Sequence, residues 1–159
     1  MKIFLKSSLS LLVLAAATML PATASAQSIV ATVAGGGVGA FQNTSHSFTT
    51  SGHSEFAVNA RIWSNGAAGG EFVCAVENIV VFAVLVKSGH VNADGSVTLM
   101  GSEYGYDRTL GGGYTGCAAS VVLRAGGAGT ASFDFKDCVT APKYDTEKVT
   151  VGLINIKRF

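Results

Sequence analysis

The stretch HSEFAVNARIW, residues 53–63, alternates with a period of two. Phe56, Val58, Ala60 and Ile62 fall on one face, and Glu55, Asn59 and Arg61 fall on the other. Successive side chains of an extended chain point to opposite sides, so this pattern predicts a strand with one face on a core. A helix would need apolar residues three and four apart, and that spacing is nearly absent after the N-terminal segment. The alternation recurs downstream. In GEFVCAV (70–76) the inward set is Phe72, Cys74 and Val76. NIVVFAVLVKSG (78–89) is apolar on both faces, which predicts a strand near the centre of the core. NADGSVTLMG (92–101) carries an Asp94-Gly95 turn signal before Val97 and Leu99. CAASVVLRAGGAGTASFDFKDC (117–138) reads as a hairpin around Gly126-Gly127-Ala128-Gly129, and EKVTVGLINIKRF (147–159) as a long last strand.

Eight or nine short strands between Gly, Asn, Asp and Ser clusters predict an all-β, antiparallel fold. Either a β-sandwich or a small closed barrel satisfies the pattern. Glycine clusters at 35–37, 69–70, 111–113 and 126–127 each precede a strand, and are expected at turns and bulges needing positive φ. The last strand, over 147–157, is the expected sheet edge, with unpaired N–H and C=O groups open to a partner strand.

The N-terminal segment MKIFLKSSLSLLVLAAATMLPATASAQ has a positive start at Lys2 and Lys6 and an apolar run from Leu9 to Leu20. Pro21 ends that run, and Ala24-Ser25-Ala26 forms a small-x-small cleavage site. These features predict a secretory signal peptide over 1–26, followed by one all-β domain over 27–159. The run is shorter than the roughly 20 residues a membrane-spanning helix needs. The expected location is therefore exported, in the periplasm or outside the cell. Loss of Lys2 and Lys6 from 11 basic residues leaves nine against 10 acidic ones. No basic run stands in the remaining chain, so no nucleic-acid partner is expected, and no stable membrane span after cleavage. A protein or glycan partner fits the composition better.

Export permits disulfides, and Cys74, Cys117 and Cys138 form an odd set. Cys117 opens the hairpin and Cys138 closes it, so these two are the expected pair, with Cys74 buried and free. Pairing Phe133 and Phe135 with Val121 and Leu123 places the two cysteines on opposite faces, so a bulge or frayed end must bring them together. No cysteine sits beside a histidine, and a catalytic thiol is not expected.

Other chemistry is sparse. His53 and Glu55 share a strand face with His46 just upstream, a set that lacks the further ligand a metal site requires. His90 stands alone in a turn. Glu103, Asp107, Asp134 and Asp137 form the pool for a paired-carboxylate hydrolase, and nothing in the sequence singles out one of them. No G-x-S-x-G elbow is present. No catalytic residue, metal or cofactor is expected. In SEYGYDRTLGGGYTG (102–116), Tyr104 and Tyr106 share a face beside Asp107 and Arg108, and these four are the candidate ligand-binding residues. The terminal Phe159 is in step with Lys157 and Asn155, which would turn polar side chains toward lipid in an outer-membrane barrel. In VAGGGVGAF (33–41), Gly35, Gly37 and Ala40 match a dinucleotide-binding spacing, with Glu55 twenty residues after Gly35. The segment that follows, FQNTSHSFTTSGHSEF, has no helical spacing to cap a pyrophosphate, so the glycines are expected to bend or bulge a first strand that Phe41 anchors.

The order of features resembles a loose group of uncharacterised secreted bacterial all-β proteins. The resemblance is carried by the Gly-rich first strand GGGVGAF, the strand FAVNARI, a Gly-Gly turn with EFVCAV, and the hairpin GSVTLMGSEYG. It spans most of residues 30–157 and implies a small secreted all-β domain without an established activity. The expected function is a non-enzymatic binding or surface protein. The alternatives are a small exported hydrolase built from His53, Glu55 and the 103–114 loop, or a ligand-carrying barrel.

Overall fold

Each alternating run forms a strand whose apolar set turns inward. A computed structural model describes residues 27–43, 50–76, 80–107, 111–136 and 146–159. The expected signal peptide, residues 1–26, lies outside them. The strands are β1 (Ile29–Asn43), β2 (Thr50–Trp63), β3 (Ala67–Val76), β4 (Val80–Val91) and β5 (Val97–Asp107). They continue with β6 (Gly112–Arg124), the two-residue β7 (Gly126–Gly127), β8 (Ser132–Lys136) and β9 (Glu147–Arg158). No helix occurs among the described residues.

Every hydrogen-bonded neighbour is antiparallel, and the order β1-β2-β3-β4-β5-β6-β8-β9 closes through a β1–β9 pairing. The fold is thus an eight-stranded up-and-down barrel, with β7 added beside β8 on β9. Between sandwich and barrel the closing pair decides. The expected edge strand is a correction: β9 pairs with β1 on one side and with β7 and β8 on the other. Closure removes the open edges that strand exchange would need.

Eight strands give a barrel just wide enough for side chains to fill. Phe56, Phe72, Phe82, Phe133 and Phe135 fill its middle. The Phe82 and Phe135 rings stack at 4.2 Å, and Phe133 meets Phe56 at 4.8 Å and Phe72 edge-on at 5.3 Å. Each such pair contributes about 0.5–1.5 kcal/mol beyond its buried area. The expected register Val121↔Phe135 and Leu123↔Phe133 holds. The expected inward set of β2, Phe56 to Ile62, is fully inside, as are Val97 and Leu99.

The run on β4 is a second correction. Val80, Phe82, Val84 and Val86 are buried, but Leu85 on the opposite face is 45 % exposed. A single-layer barrel has only one dry face, so an apolar outer face meets solvent whatever its composition.

Each glycine cluster holds a residue of positive φ as expected, Gly37, Gly70, Gly111 and Gly126, but the first two clusters lie within β1 and β3 rather than ahead of a strand. At the seam the reason is close approach. Gly37 and Gly152 face each other across β1 and β9 with φ of 152° and 101°. A Cβ on Gly37 would lie 1.9 Å from the Val151 carbonyl oxygen, and one on Gly152 would lie 2.1 Å from that of Gly36. The register of this seam shifts between Val38 and Gly39, the expected bulge, and Phe41 beyond it is buried. The dinucleotide-like spacing therefore lies within a continuous strand.

Candidate ligand site at the mouth of the barrel

The two ends of the barrel differ. At one end the connections are tight: the turn after Trp63, the Asn92–Ser96 turn, and the start and end of the barrel chain. Asp94 accepts from the Ser96 backbone N–H at 2.9 Å and from its hydroxyl at 2.6 Å, which holds the Asp94 carboxyl below its usual range. At the other end β1, β3, β5 and β8 finish, and the linking residues 44–49, 77–79, 108–110 and 137–145 lie outside the described ones.

That second end carries an apolar pocket lined by Phe41, Val76, Val80, Phe82, Phe135 and Glu147. The depression is shallow: it encloses about 10 Å³, room for about one water molecule. Ligand clefts for drug-sized molecules hold roughly 300–1,000 Å³, so only the tip of an apolar group could seat in this one. Beneath it the Phe82–Phe135 stack closes the barrel.

Glu147 is the polar member. It opens β9 in phase with the buried Val149, so its carboxyl turns inward and is only 4 % exposed. The Ser54 hydroxyl, from β2, donates a hydrogen bond to Glu147 Oε2. Gly39 on β1 makes the space: a Cβ there would lie 2.9 Å from that oxygen and 3.0 Å from Ser54 Oγ. Burial pushes the Glu147 carboxyl up to about 7, with the Ser54 hydrogen bond opposing. An ionised carboxylate in an apolar wall loses hydration that one hydroxyl only partly replaces. Cys74 on β3 lies next to the same hydroxyl. Burial, then the Glu147 charge, push its thiol up to about 12, so it stays protonated and unreactive at neutral pH. Cys74 is free and buried, as expected.

The sequence-derived candidates lie elsewhere. Tyr104 and Tyr106 do share a face, the outer one, where they are exposed beside Val81 and Ala83. Asp107 ends β5, and its side chain, like Arg108, is outside the described residues. Cys117 is disulfide-bonded, and Cys138 lies outside the described residues, as do His46 and Asp137. His53 and Glu55 face solvent on β2. Two strands separate β2 from β5, about 14 Å around the wall at the usual strand spacing. The combined His53, Glu55 and 103–114 hydrolase site is not assembled. Among the described residues no group of three or more His, Cys, Asp or Glu could hold a metal. Asp134 pairs with Arg124 at 2.5 Å on the surface.

The burial of two carboxylates was not read from the sequence, which placed Glu103 only in the pool of candidate acids and did not single out Glu147. Glu103 follows Val97 and Leu99 in the inward phase and is fully buried, and Glu147 precedes Val149 in the same way. Their phase was the available signal. No family model, curated protein or solved structure matches the chain.

Proposed function

We propose that the protein is an exported, non-enzymatic binding barrel that takes a small apolar ligand at its mouth. It is the ligand-carrying alternative narrowed to one end of the barrel, and the likeness to secreted bacterial all-β proteins belongs to the same reading. The observation that carries it is the pocket of Phe41, Val76, Val80, Phe82 and Phe135 above a filled interior. Side chains pack the rest of the barrel, so space for a ligand lies at the rim rather than deep inside. The signal-peptide pattern supports export, and the mixed outer wall fits an aqueous compartment. Glu55, Arg61, Glu71, Lys87, Lys148 and Lys157 all face outward while the apolar set faces inward, the reverse of a lipid-embedded barrel. No helix among the described residues is long and apolar enough to cross a membrane.

Titration with ethylbenzene, followed by NMR, tests the reading. Resonances of Val76, Val80, Phe82 and Phe135 should shift in a saturable way, while those of Trp63 and Leu123 at the tight end stay put. Shifts confined to the outer wall, or none at all, would sink it.

A second reading rests on the outer wall. Leu85, Met100, Tyr104 and Tyr106 are each more than a third exposed on neighbouring β4 and β5, a strip suited to a glycan or protein partner.

A further inference from the structure

Eight large apolar side chains among the described residues are more than a third exposed, and they are not scattered around the wall. Leu85, Met100, Tyr104 and Tyr106 stand on β4 and β5. Val151 and Leu153 stand on β9, Ile29 opens β1, and Phe159 directly follows β9. In the barrel order β2 and β3 separate these two strips on one side, and β6 and β8 on the other, so the strips lie diametrically opposite. We propose that each strip docks on the opposite strip of a second copy, so that the protein assembles head to tail into chains. The proposal deepens the outer-wall reading by naming its partner, and it does not depend on the mouth.

Placement, relief, charge and area carry it. Single exposed hydrophobics are ordinary, but contiguous strips mark contact surfaces. The walls between the strips are polar: Glu55, Asn59, Arg61 and Glu71 face outward on β2 and β3, as do Ser120, Asp134 and Lys136 on β6 and β8. Growth is thereby confined to one axis. One strip projects, with two tyrosines, a leucine and a methionine. The other is low at its centre, where Ala34 and Gly36 on β1 lie beside Asn155 and Leu153 on β9. Copies related by translation set β5 against β9 and β4 against β1, so the tall face meets the low one. The same translation brings the β3 flank, with Glu71, to the β2 flank, with Arg61, and these opposite charges complement each other at the rim. From Val151 to Phe159, across four strands, the wall measures about 500 Å² at the usual rise and strand spacing. Two such faces reach the roughly 1,000 Å² at the lower limit of a specific interface, so association is weak and concentration-dependent. The contact is heterologous, using different patches on the two partners. A translation does not close into a ring, and an open chain results.

Tyr104→Glu and Leu153→Glu each put a charge on one strip at an outward strand position, and sedimentation velocity of the purified protein reads the result. Between about 10 μM and 1 mM the wild type should grow past the dimer. Each variant alone should associate at least about tenfold more weakly. An equimolar mixture of the two should then form a one-to-one dimer and nothing larger, because each variant keeps the face that the other has lost. That mixture requires both variants to be folded, so misfolding does not imitate it. A wild type that stays monomeric over the whole range overturns the inference. So does one that stops at a dimer which Leu153→Glu leaves intact, the mark of a two-fold contact through β4 and β5 alone. Flotation of the protein with phosphatidylcholine–phosphatidylglycerol vesicles, lost in Tyr104→Glu, would assign the strip to a lipid surface and overturn chain assembly. The ethylbenzene titration is unaffected by any of these outcomes, so the mouth reading stands or falls separately.

Discussion

The tight end and the mouth are built from the same strands with opposite economies. At the tight end, Ile62, Val97, Leu99 and Leu123 fill the lumen with aliphatic groups. There Asp94 and Asn92 hold the Ser96 turn, with Asn92 Nδ2 donating to Ser96 Oγ at 2.9 Å and to Thr98 Oγ1 at 3.0 Å. At the mouth, polar groups sit inside the wall: Glu147, Ser54 and Cys74 share one buried corner beside the phenylalanine stack. An all-apolar end contributes stability alone. A buried carboxyl lowers stability whenever it is charged, and such a cost persists where a site uses it.

The largest expected effect probes whether the two ends fold together. Phe133 touches Phe56 and Phe72 in the middle of the lumen, so Phe133→Ala should cost about 3–5 kcal/mol, and Leu123→Ala at the tight end about 2–5. In urea, a single shared transition for both variants marks one cooperative barrel. A mouth that melts first in Phe133→Ala while Trp63 fluorescence keeps its native transition would make the ends separate units.

Next comes the pH response of the mouth. The folded carboxyl of Glu147 is raised from 4.5 to about 7, so the folded state holds this proton more tightly than the unfolded chain. Its contribution to stability is complete below about pH 4.5 and falls as pH rises to about 7, by roughly 3 kcal/mol at most. Urea unfolding at pH 5 and pH 8 should show that loss in the wild type, and Glu147→Gln should flatten it. The tight end predicts the opposite sign: the Asp94 carboxyl is lowered, so its smaller contribution is present at neutral pH and lost on acidification. An unchanged slope in Glu147→Gln would remove the mouth from the pH response.

The seam that runs between the ends ranks third. Gly37→Ala places a side chain on a strained backbone against the Val151 carbonyl, and should cost at least about 1–3 kcal/mol, read from the urea midpoint. Smallest is the surface pair Arg124–Asp134, whose side chains are 43 % and 32 % exposed. Arg124→Ala should change stability by less than about 1 kcal/mol, and high salt should diminish even that.

Much of this molecule was legible in its alternation. Period two placed Phe56, Val58, Ala60 and Ile62 inside, set the β6–β8 register, and marked the Asp94-Gly95 turn, because each is a local consequence of an extended chain or a tight turn. The run on β4 shows where that stops. A local pattern cannot say whether a second layer covers the outer face, and in a closed barrel none does. For the same reason Tyr104 and Tyr106 could be paired on one face but not assigned to the outside. The carboxylates show the limit most sharply. Glu147 carried the inward phase in the sequence, yet its burial, its Ser54 partner 93 residues away and the glycine that makes room for both arise from closure of β9 onto β1. Strand identity, facing and turns follow from neighbouring residues. Closure, the loss of a free edge and the environment of Glu147 are long-range properties, set when strands far apart in the chain meet.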